Sequence, residues 1–256
     1  MSINDNQNIK GIILAGGAGT RLYPLTKITS KQLLPIYNKP MIFYPLLTLV
    51  KSGIKEILII TNPSDEHIFS ELLGNGSDFD CSITYKTQKK PEGIAQAFLI
   101  AEEWLGNSKS ILILGDNIFA NGYISKNLKD AMSNNQGSTI FVYKVQNPNR
   151  YGVLNITSDN KLISVVEKPK NPPSNWAVTG LYVYDKTVVE KTKKLKPSER
   201  NELEITDLNN IYINDDKMNI FYLPEDSFWM DAGTKDSLLE ASILIKTLSD
   251  KGLDIF

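Results

Sequence analysis

The chain of 256 residues is 41% hydrophobic and 22% charged, enough apolar material for one large domain or two tightly joined lobes. Its formal net charge of −1 gives no electrostatic footing for nucleic acid or a membrane surface, so any basic groups that matter are local. One cysteine, Cys81, excludes an intrachain disulfide, and one histidine, His67, nearly closes off His-based metal sites and a Ser-His-Asp triad.

Residues 1–8 are polar and acidic; they read as a frayed extension and not as a signal peptide. With no run of 18 apolar residues to span a membrane, the expected location is the cytoplasm. The apolar run Ile12-Ile13-Leu14 reads as a buried strand. It opens into Gly16-Gly17-Ala18-Gly19-Thr20-Arg21, a loop whose glycines let backbone N–H groups come close to a ligand. Such a loop after a strand can cradle phosphate oxygens, with the Arg21 guanidinium beside it and Lys31 in reach if the segment folds back. Taken alone, a plain turn between strand and helix is an equally good reading. The spacing is not the dinucleotide G-x-G-x-x-G, because Leu22 stands where the third glycine belongs, and no lysine follows as a P-loop requires.

Further along, 11–14, 57–60 and 111–114 are apolar without alternation, as strands buried on both faces are. Helical patterns lie between them. The stretch 40–51 is apolar almost all round and is buried by the core or by a partner subunit. A second helix covers 64–73 with Ser64 as its N-cap, and a third covers 93–105, with Ile94, Ala97, Phe98, Ala101 and Leu105 at helical spacing. This alternation indicates βαβ units and a largely parallel sheet. After about Gly137 shorter strands follow at 138–145, 153–156, 162–167 and 177–184, a mixed sheet, and an amphipathic helix at 234–248 closes the chain. Asp116 stands just after the apolar run 111–114, where open α/β sheets bind ligands; a carboxylate there either holds Mg²⁺ or caps a helix.

The segment 14–22, followed by Ser30-Lys31-Gln32-Leu33-Leu34-Pro35, resembles the signature of the sugar-1-phosphate nucleotidyltransferases. Within that family it is closest to the thymidylyltransferases that use dTTP and glucose 1-phosphate, and the match is motif-dense from about 10 to 249. The resemblance implies an α/β, Rossmann-like (GT-A-like) nucleotidyltransferase fold in one domain, with a nucleotide-binding half over about 9–137 and a sugar-binding half over about 138–256. It assigns Leu14, Gly16, Gly17, Gly19, Thr20, Gln32, Gln88 and Gly93 to the nucleotide. A side-chain amide such as that of Gln88 offers the donor and acceptor that a thymine or uracil edge requires, and so does not separate these two bases. Asp116 and Asp231 are implied as Mg²⁺ ligands, and Asn117, Tyr151, Gly152, Glu167, Lys168, Val178 and Tyr182 as contacts to the sugar phosphate. Arg21, Lys31 and Lys168 are implied as the catalytic cations. The segment 202–207 matches a further stretch of the family and is expected to be mainly scaffold.

The implied reaction needs no protein nucleophile, because a sugar-1-phosphate oxygen is already anionic; positioning and charge neutralisation are what the protein supplies. Three readings remain open at this level: transfer from dTTP to glucose 1-phosphate, the same chemistry with UTP or another hexose 1-phosphate, and a non-catalytic sugar-nucleotide-binding paralogue. The last predicts gaps among Arg21, Lys31, Asp116, Lys168 and Asp231, and all five are present. A homo-oligomer, dimer or tetramer, is implied as well, with 40–50 as a candidate interface. Longer members carry a C-terminal extension that contributes a regulatory nucleotide-sugar site and subunit contacts. With Phe256 as the last residue, end-product regulation and the usual tetramer lack that support.

Overall fold

The structure, a computed structural model, describes residues 9–120, 123–134, 136–159 and 161–252; the extension expected at 1–8 lies outside them. The chain opens with β1 (Ile9–Ala15), the two-residue strands β2 (Pro35–Ile36) and β3 (Lys39–Pro40), and α1 (Phe43–Lys51). Then come β4 (Glu56–Thr61), α2 (Glu66–Leu73), β5 (Ser82–Thr87), α3 (Gln96–Leu105), β6 (Lys109–Leu114), β7 (Asn117–Ala120) and α4 (Tyr123–Asn134). The second half runs through β8 (Ser138–Lys144), β9 (Gly152–Ile156), β10 (Leu162–Glu167), β11 (Trp176–Tyr184), α5 (Val188–Thr192) and α6 (Ile205–Asn214). It closes with β12 (Met218–Tyr222), β13 (Phe228–Asp231) and α7 (Lys235–Asp250).

Among the described residues, nine strands form one mixed sheet. β6, β1, β4 and β5 lie side by side in parallel, as the alternating pattern predicts. β11 joins antiparallel to β6 and carries the second half with it: β8 and β9 both pair with β11, β10 pairs with β9, and β12 runs parallel to β8. The central runs of β1, β4 and β6, residues 11–14, 57–60 and 111–114, are apolar without alternation because each face meets a different core. Ile13 and Ala15 of β1 point with Ile57, Ile59, Ile111 and Ile113 into a core completed by α1, α2 and α4. Ile12 and Leu14 point with Leu58, Ile60 and Leu112 into a second core under α3, α5 and α6. A third, smaller core packs α7 and the β7–β13 pair around Tyr44.

Two local expectations need correction. Ser64 does not cap α2: the helix starts two residues later with Asp65 at its N-cap, and the Ser64 hydroxyl donates to the Asp65 carboxylate. Residues 40–42 are not helical, since Pro40 belongs to β3 and α1 begins at Phe43. Within the apolar stretch 40–50 the chain itself fully buries Met41, Ile42, Tyr44, Leu46 and Leu49, and leaves Phe43, Leu47 and Val50 half-buried. The closing helix behaves as its sequence predicts: Thr234 accepts from the Ser237 backbone while the Ser237 hydroxyl accepts from that of Thr234, a capping box that fixes where the helix begins.

Candidate active site

Because β1 and β6 are parallel neighbours with Leu14 opposite Leu114, the glycine loop and Gly115-Asp116 leave the sheet at the same edge. The Gly115 N–H donates to the Leu14 carbonyl at 2.9 Å and ties the two exits together. Asp231 arrives from the far end of the chain on β13, whose antiparallel register with β7 sets Asp231 opposite Asn117. A cleft of about 640 Å³ opens here, lined by Leu14, Gly16, Thr20, Arg21, Lys31, Asp116, Asn117, Tyr151, Gly152, Glu167, Lys168, Val178, Tyr182 and Asp231. Fourteen residues implied by the sequence thus share one cavity. Asp116 caps no helix, since β7 follows it directly, and Thr234 caps the helix that follows Asp231.

At the floor, Lys31 Nζ sits 2.5 Å from Asp116 Oδ2, and both side chains are largely buried. Asn117 orients the other carboxylate oxygen by donating to Asp116 Oδ1 at 3.1 Å. Asn117 is itself held by the Gly180 N–H at 3.0 Å and the Trp229 indole N–H at 2.7 Å, both donating to its Oδ1. Burial alone would raise the Asp116 carboxyl; the Lys31 ammonium, with the hydrogen bonds from Lys31 and Asn117, holds it below the usual range. Asp231 goes the other way: burial and then the negative charge of Asp116 raise it, against weaker help from Arg21, whose guanidinium lies 3.9 Å away, and from Lys31.

Two carboxylates of one cleft that disfavour each other's charge are a donor set suited to a hard divalent cation. No further His, Cys, Asp or Glu completes a metal cluster with them among the described residues, so water and phosphate oxygens would supply the remaining ligands.

The residues that the resemblance assigns to a nucleotide but that do not line the cleft, Gly17, Gly19, Gln32, Gln88 and Gly93, lie around Gly16 and the loop. The buried Gln32 has its amide nitrogen 3.5 Å from the Gly16 carbonyl, and a Cβ on Gly16 would come within 2.8 Å of Gln88 Oε1. Gly17, at φ +99°, is braced by Asn62: its N–H donates to Asn62 Oδ1 at 3.1 Å, so this amide is engaged and not free for phosphate. Gly93 packs so close to residue 203 that a Cβ would lie 2.3 Å from the Leu203 carbonyl oxygen; it closes this wall by close approach. Gly19 holds the return of the loop, its carbonyl accepting from the Thr26 hydroxyl at 2.9 Å.

At the opposite end Glu167 and Lys168 form an ion pair at 3.2 Å, and the Thr206 hydroxyl donates to Glu167 Oε2 at 2.5 Å. Arg200 spans Glu204 at 2.8 Å and reaches Glu167 at 3.5 Å, its side chain still 43% exposed. Tyr151 packs edge-on against Trp229, with ring centroids 5.2 Å apart. Burial raises the hydroxyls of Tyr151 and Tyr182 above the ordinary tyrosine value, so both are neutral donors at neutral pH.

Sequence reading missed several members of this end. Arg200 carried no motif, and Glu202 and Thr206, placed in a segment expected to be scaffold, line the cleft instead. Asn62, which locks the glycine loop, also went unmarked. Its only sequence signal was its place just after β4, at the same sheet edge as Asp116.

The family profile described as nucleotidyl transferase matches residues 10–247. A glucose-1-phosphate thymidylyltransferase of Neisseria meningitidis is 51% identical over 242 residues, 94% of this chain and 84% of that protein. One from Mycolicibacterium smegmatis is 49% identical over 240 residues, 94% and 83% of the two chains. Among solved structures, UDP-glucose pyrophosphorylase with bound UDP-glucose superposes with a TM-score of 0.83 at 25% identity, covering 94% of this chain and 99% of that one.

Proposed function

The chain belongs to the nucleotidyl transferase family, and from that premise we propose that it transfers a thymidylyl group from dTTP to glucose 1-phosphate, giving dTDP-glucose and pyrophosphate. The observation that carries the reading is the meeting, in one cleft, of Arg21, Lys31, Asp116 and Asp231 at one end with Glu167, Lys168 and Arg200 at the other. That is a triphosphate site facing a sugar-phosphate site.

The step is a single in-line displacement. An anionic oxygen of glucose 1-phosphate forms a bond to the α-phosphorus of dTTP, and the bond from that phosphorus to the oxygen bridging to the β-phosphorus breaks. Its electron pair leaves on pyrophosphate, and no proton has to move. Lys168 draws in the attacking phosphate, with Arg200 beside it as a second cation. Glu167, steadied by Thr206, accepts hydrogen bonds from sugar hydroxyls, while Gly152, Val178 and the neutral Tyr182 line the space the sugar takes. Arg21 and Lys31 neutralise the leaving pyrophosphate, Lys31 turning to it from Asp116. Asp116 and Asp231 would hold Mg²⁺, which would supply positive charge to offset the triphosphate's own. Among the described residues no helix is long and apolar enough to cross a membrane, and the lone Cys81 suits a reducing compartment, so we place the reaction in the cytoplasm.

The test is mass spectrometry of the products after mixing the protein with Mg²⁺, a set of nucleoside triphosphates and a set of sugar 1-phosphates. dTDP-glucose and pyrophosphate are expected as the main products. A main product built on another base or sugar would move the specificity elsewhere, and no nucleotidyl transfer with any pair would overturn the enzyme reading.

A further inference from the structure

Three hydrogen bonds behind the glycine loop form a directed chain. Gln88 is 5% exposed, and its amide nitrogen donates both to the Gly93 carbonyl at 3.2 Å and to Gln96 Oε1 at 2.6 Å. Gln96 in turn donates from Nε2 to Glu92 Oε2 at 2.7 Å. An ionised carboxylate and a backbone carbonyl accept and never donate, whereas a side-chain amide does both and fits either way round. Glu92 therefore fixes the sense of Gln96, turning its carbonyl toward Gln88, and Gln96 together with Gly93 fixes the sense of Gln88. Both N–H groups of Gln88 are committed to the protein. The atom turned toward Gly16 and the nucleotide loop is the acceptor Oε1.

We propose that Gln96, with Glu92 behind it, is a positioning residue that presents Gln88 to the base as a hydrogen-bond acceptor, and that this relay excludes cytosine. Thymine and uracil carry an N3–H that Gln88 Oε1 accepts. Cytosine carries a bare N3, which sets lone pair against lone pair, and the relay prevents the amide from turning over to relieve it. Rejection rests on an unpaired buried acceptor and not on size, because thymine and cytosine are nearly the same shape. The inference rests on the proposed function and on the assignment of Gln88 to the base that the family resemblance implies.

The test is the ratio of kcat/KM for dTTP to that for dCTP, with glucose 1-phosphate as acceptor, backed by equilibrium binding of each nucleotide alone. Wild type favours dTTP. Gln96→Leu lowers the ratio about tenfold, the worth of one directed hydrogen bond. Glu92→Ala, at an exposed position whose loss leaves the fold intact, lowers it about threefold and carries the test if Gln96→Leu fails to fold. The swapped pair Glu92→Gln with Gln96→Glu reverses the outer hydrogen bond but still sets an acceptor at 96 facing the Gln88 amide nitrogen, and restores the ratio. Parallel losses for both nucleotides with the ratio unchanged, in variants that melt like wild type, would show Gln96 to be structural and overturn the inference. So would a wild type that uses dCTP as readily as dTTP, or a Gln88→Leu variant with unaltered base preference. In those cases transfer to glucose 1-phosphate by the wild type stands, whereas only its absence removes the proposed function itself.

Discussion

The two ends of the cleft meet their ligands in different states. At the nucleotide end most polar groups are already engaged by the protein: Gly17 by Asn62, Lys31 by Asp116, and Gln88 by Gly93 and Gln96. At the sugar-phosphate end the cations stand open, with Lys168 49% and Arg200 43% exposed while paired to carboxylates. The first arrangement is pre-organised, so a ligand there exchanges one set of partners for another and gains mostly specificity. The second is a charged rim where binding strength comes from newly made, partly screened contacts. Substitutions at the first end should therefore change turnover and selectivity, and those at the second chiefly KM.

The largest effect is expected at Asp116. Asp116→Asn keeps the shape but removes a charge that pairs Lys31 and would hold the metal. Turnover should fall by on the order of 10³. Pyrophosphate release measures it, with circular dichroism to confirm that the variant folds. Activity close to wild type would break the comparison, because the floor of the nucleotide end would then be dispensable.

A smaller effect is expected at the open end. Lys168→Met keeps the apolar stem and removes the ammonium, so the KM for glucose 1-phosphate should rise roughly 10- to 100-fold, the worth of a charge-assisted contact, with the KM for dTTP nearly unchanged. Raised ionic strength should erode the wild-type advantage in the same direction. An equal rise in both KM values would mean that the two ends are not separable.

The sequence made half of this comparison readable. The parallel strands were legible because β1, β4 and β6 each hold four residues in a row that are apolar or glycine, the pattern of a sheet buried on both faces. The loop and Asp116 were legible because they stand at strand ends. What brings Asp231 to Asp116, however, is the register of β13 on β7, a pairing across more than a hundred residues that no local pattern encodes. The loop residues needed the family resemblance, since three glycines fit a plain turn as well as a phosphate cradle. Arg200 and Asn62 were not legible at all: each does its work through tertiary contacts, Arg200 by spanning from Glu204 to Glu167 and Asn62 by gripping a loop 45 residues earlier. The placement of the cap at Ser64 failed by one residue because Asp65, next to it, is as suitable a residue type at a helix start.

The smallest effect concerns stability and separates the two carboxylates from each other. Asp116 gains from Lys31, so its charge favours the fold, and that contribution fades as the pH drops through its depressed pKa. Asp231 is raised by burial and by Asp116, so in the unliganded protein its charge opposes the fold. A carboxyl whose folded-state pKa lies above its unfolded value takes up a proton more readily when folded, and acidification through the range just above the ordinary carboxylate value favours the fold at this position. Asp231→Asn removes the unfavourable charge while keeping an acceptor for the Gly233 N–H. Thermal melting with chelator present should show this variant more stable than wild type by up to about 1 kcal/mol, even as turnover is lost. Asp116→Asn, which leaves the largely buried Lys31 ammonium without its partner, should instead melt lower. Matching shifts for the two variants would mean that their carboxylates are equivalent in the empty cleft, against the asymmetry that Lys31 imposes on them.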